Sequence, residues 1–340
     1  MVRQGGRGGR SVTRRDVAER AGVSAAVVSY TLNGGAPVAP ETAQRVLKAV
    51  AELGYRPNQA ARALRSGSTR TLAFLTLDAD DAIFTNPIFA EYVHAVQRAA
   101  AERGYALYTA STPGGGRART MQELREFASR QVDGVVLLAS SEQQLDPAEL
   151  DAVGVPWVLV NTEESPGGGN SIGADLFGGA TVAMGHLFEH GYSSIGFVGD
   201  APRSEPRRRA WREVCAEHGV EASPLFDVDF TREGGREAAL ELADLSSPPR
   251  AVFVVSDRTA LGVLRGLHEC GVRVPEDVAV ISFDGSWESA YAWPGLTSVR
   301  QPIEAMAAAA VDRLISPPEE ASHQVFPVEL IVRESCGAHA

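Results

Sequence analysis

The 340-residue chain holds only three cysteines, Cys215, Cys270 and Cys336, widely separated and odd in number. Such a set offers no disulfide framework, and it reads most simply as reduced thiols of a cytoplasmic protein. No apolar run approaches the roughly 20 residues that a membrane helix needs, and the N-terminus lacks the apolar stretch of an export signal. The 7 histidines form no HExxH and none pairs with cysteine at metal spacing, so no metal is expected. Gly196-Phe197-Val198-Gly199 lacks the third glycine of a dinucleotide fingerprint. Gly114-Gly115-Gly116 has no strand leading into it and no Lys-Ser/Thr pair after it. No nucleophile, base and orienting group converge, so neither a cofactor nor an enzymatic activity is expected.

Charge is present but unevenly placed. The net charge is −11, yet residues 1–70 carry 12 Arg plus Lys against 4 Asp plus Glu, a net of +8. The other residues carry −19. An acidic protein with its positive charge gathered at one end is built to meet a polyanion there, as phosphate attraction requires. Residues 1–11, with Arg3, Arg7 and Arg10 among Gly and Ser, are expected to form a disordered basic arm that adds affinity without reading sequence.

The basic segment has a definite pattern. Thr13 and Asp16 form a capping box, so a helix should begin at Arg14 with Val17, Ala18 and Ala21 on its apolar face. Gly22 ends it and Ser24 caps a second helix, whose buried side is Val27, Val28 and Leu32. Ala25, Ala26, Ser29 and Tyr30 are left outward. Two short helices around a tight Gly-containing turn make a helix-turn-helix, which sets its second helix in the DNA major groove. A third helix starts at Pro40, carries a stripe of Val46, Leu47, Val50 and Leu53, and stops at Gly54.

From Thr71 onward, buried-strand runs alternate with amphipathic stretches. Thr71–Leu77, Ala106–Ala110, Gly134–Ala139 and Trp157–Asn161 form one series, with helices expected from Pro87 and near Met121. Ile195–Gly199, Ala251–Val255 and Val278–Ser282 form a second. The alternation predicts parallel sheets covered by helices. Two such series predict two doubly wound α/β lobes with a ligand cleft beyond the carboxyl ends of their strands.

The order DVAERAGVS, VSYTLNG and PETAQRVLKAVAELGYRPNQAARALRSG resembles the LacI/GalR family of bacterial transcription repressors, and the likeness runs from Val12 to about Cys336. It implies a helix-turn-helix domain over 12–57, a hinge helix over 58–67 and a periplasmic-binding-protein-like effector and dimerisation core over 71–340. The N-lobe would hold about 71–164 and 300–322. The C-lobe would hold about 165–299 and 323–336, including one C-terminal strand over Val325–Val332. On DNA, family positions place Ala25, Ala26 and Tyr30 against bases and Ser29 and Asn33 on phosphates, with Thr13, Ser24 and Asn58 also in the contact set. In the hinge, Leu64 matches a leucine that wedges between central base pairs and Ala61 a small residue in the same minor groove, where such wedges unstack a step and bend the duplex. The chain departs from the family where Tyr30 replaces the frequent Arg, Val27 a phosphate-contacting Thr, and Ala39 the usual Ser or Thr cap. Two alanines and one phenol cannot clamp guanine as Arg does, so the operator sequence does not carry over.

In the core the resemblance implies an effector pocket. Phe89, in Asn86-Pro87-Ile88-Phe89, and Phe230 match aromatics that stack on a ligand. Arg207 matches an arginine that forks onto ligand oxygens, and Asp284 a carboxylate that accepts from ligand hydroxyls or amines. Asn161 ends an N-lobe strand, and Ser256 stands where Asn is usual. For either phenylalanine alone a core role is an equal reading. Aromatic, carboxylate and guanidinium together suit a sugar or a nucleoside.

The function that follows is a dimeric, effector-controlled regulator, most simply a repressor, acting on a palindromic operator. Its partners would be double-stranded DNA, a small-molecule effector and a second copy of the chain, with no membrane. The Ala305–Ala310 run and Arg313 lie on a late helix that fits core or dimer surface equally. No leucine-heptad extension precedes Ala340. The competing readings are a secreted sugar-binding receptor, which the missing export signal and the DNA module oppose, and an enzyme carrying a borrowed DNA-binding head.

Overall fold

A computed structural model of the chain describes residues 12–33, 36–55, 67–76, 86–111, 117–129, 132–138, 146–162, 169–199 and 205–337. The chain divides into two compact units, residues 1–69 and 70–340. The arm over 1–11 and the hinge residues Asn58, Ala61 and Leu64 lie outside the described residues.

The first unit contains α1 (Arg14–Ala21), α2 (Ala25–Asn33) and α3 (Pro40–Leu53). The capping box forms as its residues require. Asp16 accepts from the Thr13 backbone N–H at 2.7 Å while its own N–H turns back to Thr13 Oγ1. Gly22 takes the left-handed conformation, φ 66°, that lets α1 end in a tight turn. Val17, Ala18, Ala21, Val28, Val46, Ala49 and Tyr55 make the core, flanked by Val12, Val23, Leu32, Val50 and Leu53. Two side chains depart from the expected faces. Leu47 is half exposed, at 52 %, and Val27 stays outside this core, because helical rotation aims Val46 and Ala49 at α1 and Val28 inward instead.

The second unit is built on two six-stranded sheets. The first has the order β11 (His323–Phe326), β5 (Ser171–Ala174), β4 (Trp157–Val160), β3 (Gly134–Leu138), β1 (Thr71–Thr76) and β2 (Ala106–Ser111), all parallel. The second has the order β12 (Glu329–Ile331), β10 (Thr297–Arg300), β9 (Ala279–Asp284), β8 (Ala251–Val254), β6 (Ile195–Val198) and β7 (Leu225–Phe226), parallel except for the antiparallel β12. Each is doubly wound, with its order reversing beside its first strand, at β1/β3 and at β6/β8.

The lobe boundaries differ from the sequence expectation. The strand over 171–174 belongs to the first sheet, so the first lobe continues past residue 164. The single strand expected over Val325–Val332 is two strands, with 323–326 closing the first sheet and 329–331 the second. Pro327 lacks the N–H that a continuous ladder needs there, and the chain changes lobe at that point. The late helix Ile303–Ile315 is core: Met306, Ala307, Ala310 and Val311 are buried with Tyr92 and Val160. Arg313 is spent inside the lobe, donating to the Ser322 carbonyl at 2.6 Å and to Gln324 at 3.2 Å, which ties the return segment beside β5.

Candidate effector site and DNA-reading surface

On the head, the residues expected to meet DNA are placed as follows. Thr13, Ser24, Ala25 and Ala26 are exposed, Ser29 is half-buried and Tyr30 is 43 % exposed. Ser24 caps α2 by accepting from Val27 N–H at 3.3 Å. Asn33 closes α2. Ala39 precedes α3 without a side-chain cap, as its methyl dictates.

In the core, the polar groups gather at the carboxyl ends of β6, β8 and β9. Helix Pro206–Glu217 carries Arg207 in its first turn, whose guanidinium donates to Glu205 Oε1 at 2.5 Å and to the Val255 carbonyl at 2.8 Å. Its carbon lies 5.8 Å from the Phe230 ring centroid and 5.4 Å from that of Phe283, so two aromatic faces hold the cation. Val255 and Ser256 follow β8 directly, which sets Arg207 at the switch point of the second sheet.

Asp284 ends β9 with φ 110° and accepts from Gln301 Nε2 at 3.0 Å. Burial first, and then the neighbouring Asp257 carboxylate, push its carboxyl above the ordinary range, while the Arg207 charge opposes the rise. Gly285 follows with φ 64°; a Cβ there would fall 2.3 Å from Arg300 Cα, so glycine is required to turn the chain away from β10.

Asp257 holds this turn in place. It is buried, at 1 % exposure, and accepts from Ser282 Oγ and Ser298 Oγ at 2.5 Å each, from Ser286 N–H at 2.6 Å and from Ser286 Oγ at 2.8 Å. Charge-assisted bonds from four donors offset much of the cost of desolvating a carboxylate, although burial still raises its pKa. Ser256 caps the helix Asp257–Glu269, its Oγ accepting from Thr259 N–H at 3.2 Å.

Two contacts carry this site across to the first lobe. The buried Tyr92 hydroxyl donates to Gln301 Oε1 at 3.4 Å, so Asp284, Gln301 and Tyr92 form a hydrogen-bonded series through the crossover between sheets. The Trp287 N–H donates to Glu91 Oε1 at 2.7 Å, and burial raises the Glu91 pKa.

The expected site residues thus fall into three groups. Arg207, Phe230 and Asp284 come together, with Ser256 next to the Val255 carbonyl that Arg207 binds. Asn86 caps helix Pro87–Glu102 by accepting from Ile88 N–H at 3.3 Å, and Phe89 is 7 % exposed within the first lobe's core. Asn161 takes a left-handed φ of 62° just beyond β4. Sequence reasoning missed Glu205, Val255, Asp257, Phe283 and Gln301. Asp257 alone had a local signal, an acid directly after the serine at a strand-to-helix junction. Among the described residues, no helix is long and apolar enough to cross a membrane, and no three acidic, His or Cys side chains gather as a metal site.

A helix-turn-helix unit followed by a two-lobed, doubly wound core with polar groups at its strand ends defines a class: ligand-controlled regulators that bind DNA. Residues 13–58 match the bacterial regulatory proteins of the lacI family, and residues 184–336 match the periplasmic binding protein-like domain. The regulator CelR of Thermobifida fusca is 35 % identical over 96 % of this chain and 98 % of its own. The HTH-type transcriptional repressor PurR of Photobacterium profundum is 31 % identical over 95 % and 98 %. The ribose operon repressor of Escherichia coli strain K12 is 30 % identical over 89 % and 92 %. Among solved structures, a CelR–cellobiose complex aligns with a TM-score of 0.69 at 32 % identity, covering 95 % of this chain and 99 % of that one. A lac repressor dimer on operator with an anti-inducer aligns at 0.81 and 24 % identity over 96 % and 99 %, and shares the fold. The chain belongs to the lacI family: it is a DNA-binding transcriptional regulator and not an enzyme.

Proposed function

We propose that the protein is a cytoplasmic, homodimeric repressor whose operator binding is set by a small, hydroxyl-bearing effector held at Arg207, Phe230, Ser256 and Asp284. The carrying observation is the arrangement at the second switch point. One guanidinium lies within cation–π distance of both Phe230 and Phe283, and the Asp284 carboxyl leads through Gln301 to Tyr92 of the other lobe. A sugar or nucleoside offers a ring face for Phe230 and hydroxyls that both donate and accept. The relatives point the same way, since one is described as a cellobiose complex.

Effector binding would act by differential affinity for two lobe arrangements, with the Asp284–Gln301–Tyr92 series and the Trp287–Glu91 contact as the elements that differ. Asn58, Ala61 and Leu64 would form the hinge that responds, and Ala25, Ala26, Ser29, Tyr30 and Asn33 would read a two-fold operator. A fluorescence-anisotropy titration of operator DNA, run with and without sugars and nucleosides selected by thermal shift, tests this reading. Arg207→Ala should keep operator binding and lose the effector response. Retention of a full response in Arg207→Ala would overturn the site.

A further inference from the structure

The start of helix Pro206–Glu217 has the makings of an anion site. The first turn of a helix directs backbone N–H groups and the positive end of the helix dipole outward, and Arg207 stands in this one. Phosphorylated sugars and nucleotides are bound by such arrangements. Here the place is already taken by an anion of the chain itself. Glu205 is buried, at 7 % exposure, and caps the helix: Oε2 accepts from Arg208 N–H at 3.0 Å while Oε1 accepts from Arg207 Nε at 2.5 Å.

We propose that Glu205 restricts the effector site to uncharged, hydroxyl-rich ligands and excludes phosphorylated ones; this rests on the assignment of Arg207 and Asp284 to that site. The donor count supports it. Arg207 gives Nε to Glu205 and Nη1 to the Val255 carbonyl, so among the described residues Nη2 is its nitrogen with no protein acceptor. The same cation is paired with the buried Glu205 carboxylate and acts electrostatically on the nearby Asp284 carboxyl. A hydroxyl accepts from Nη2 and donates to a carboxylate, satisfying both sides. A phosphate dianion only accepts, and it would enter a buried place where Glu205 already neutralises the cation and occupies the end of the helix.

The test is isothermal titration of the full-length protein with inorganic phosphate and with ribose 5-phosphate, in phosphate-free buffer. Glu205→Gln keeps the side-chain length and an oxygen for Arg208 N–H; Glu205→Thr is a second variant that retains a good helix cap. Wild type should bind neither anion at Arg207. Both variants should gain saturable binding, about tenfold or more above wild type, equivalent to about 1.4 kcal/mol, and lose it when Arg207→Ala is added. Arg207-dependent phosphate binding by wild type, or no gain in either folded variant, overturns the role of Glu205. The Arg207→Ala change in the wild-type background, titrated with neutral sugars and nucleosides, separates the two ideas. Loss of neutral-ligand binding there without anion gain in the Glu205 variants sinks the Glu205 role alone, whereas unchanged neutral binding sinks the site.

Discussion

At the scale of single residues, the two buried carboxyls of the second lobe do different work. Asp257 is saturated by Ser282, Ser286 and Ser298 and so fixes backbone; Asp284, held by the Gln301 amide and the Asp257 backbone N–H, has fewer donors among the described residues. Because burial and Asp257 raise its folded-state pKa, Asp284 binds its proton more tightly in the native protein than in the unfolded chain. Its contribution to stability is therefore present below the ordinary carboxylate range and is lost as pH rises through the raised value. Thermal unfolding from about pH 5 to about pH 9 should show wild type losing midpoint temperature more steeply than Asp284→Asn, which cannot ionise. Parallel curves would mean that Asp284 ionises in the native state as freely as in water. Arg207 and Asp284 were legible because each sits in a recognisable local string. Glu205 and Gln301 were not, since their meaning comes from a partner's position in space: Gln301 acts through residues 17 and 209 positions away.

At the scale of elements, the site rests on a helix pair packed closer than side chains allow. Gly262 faces the carbonyl of Arg232, where a Cβ would lie 1.9 Å away, and Gly235 faces the Thr259 carbonyl, where it would lie 2.0 Å away. Helices Arg232–Asp244 and Asp257–Glu269 therefore touch backbone to backbone, and the second carries Asp257 in its first turn. Gly262→Ala should force them apart and lower the urea midpoint by an amount equal to about 1–3 kcal/mol, the usual cost of overpacking. A change below about 0.5 kcal/mol, as at surface sites, would show that the pair can relax without cost. Most of the strands were legible in their apolar runs. β5, β7, β10 and the division at Pro327 were not: Ser171–Ala174 and Thr297–Arg300 lack a continuous apolar run, Leu225–Phe226 is only two residues long, and nothing local says that one apolar run serves two sheets.

At the scale of the molecule, charge and fold divide the labour. The +8 of residues 1–70 is set against −19 elsewhere, so operator affinity should fall steeply with salt, as counterion release demands. A fragment beginning at Arg70, the start of the second compact unit, should fold and bind the same effector with unchanged affinity in calorimetry. Failure of that fragment to fold would show that the core depends on the head.

The sequence by itself determined the head and its class, because capping boxes, left-handed glycines and short apolar faces act within a few residues. It also determined that two parallel sheets follow, since buried strands advertise themselves by composition. Only the tertiary structure decided which lobe owns residues 171–174 and 323–326, and that Phe89 is packed in a core while Phe230 faces Arg207. It alone set Glu205 and Asp257 around the effector residues. Those outcomes depend on contacts between distant segments, where burial and charge are properties of the place and not of the amino acid.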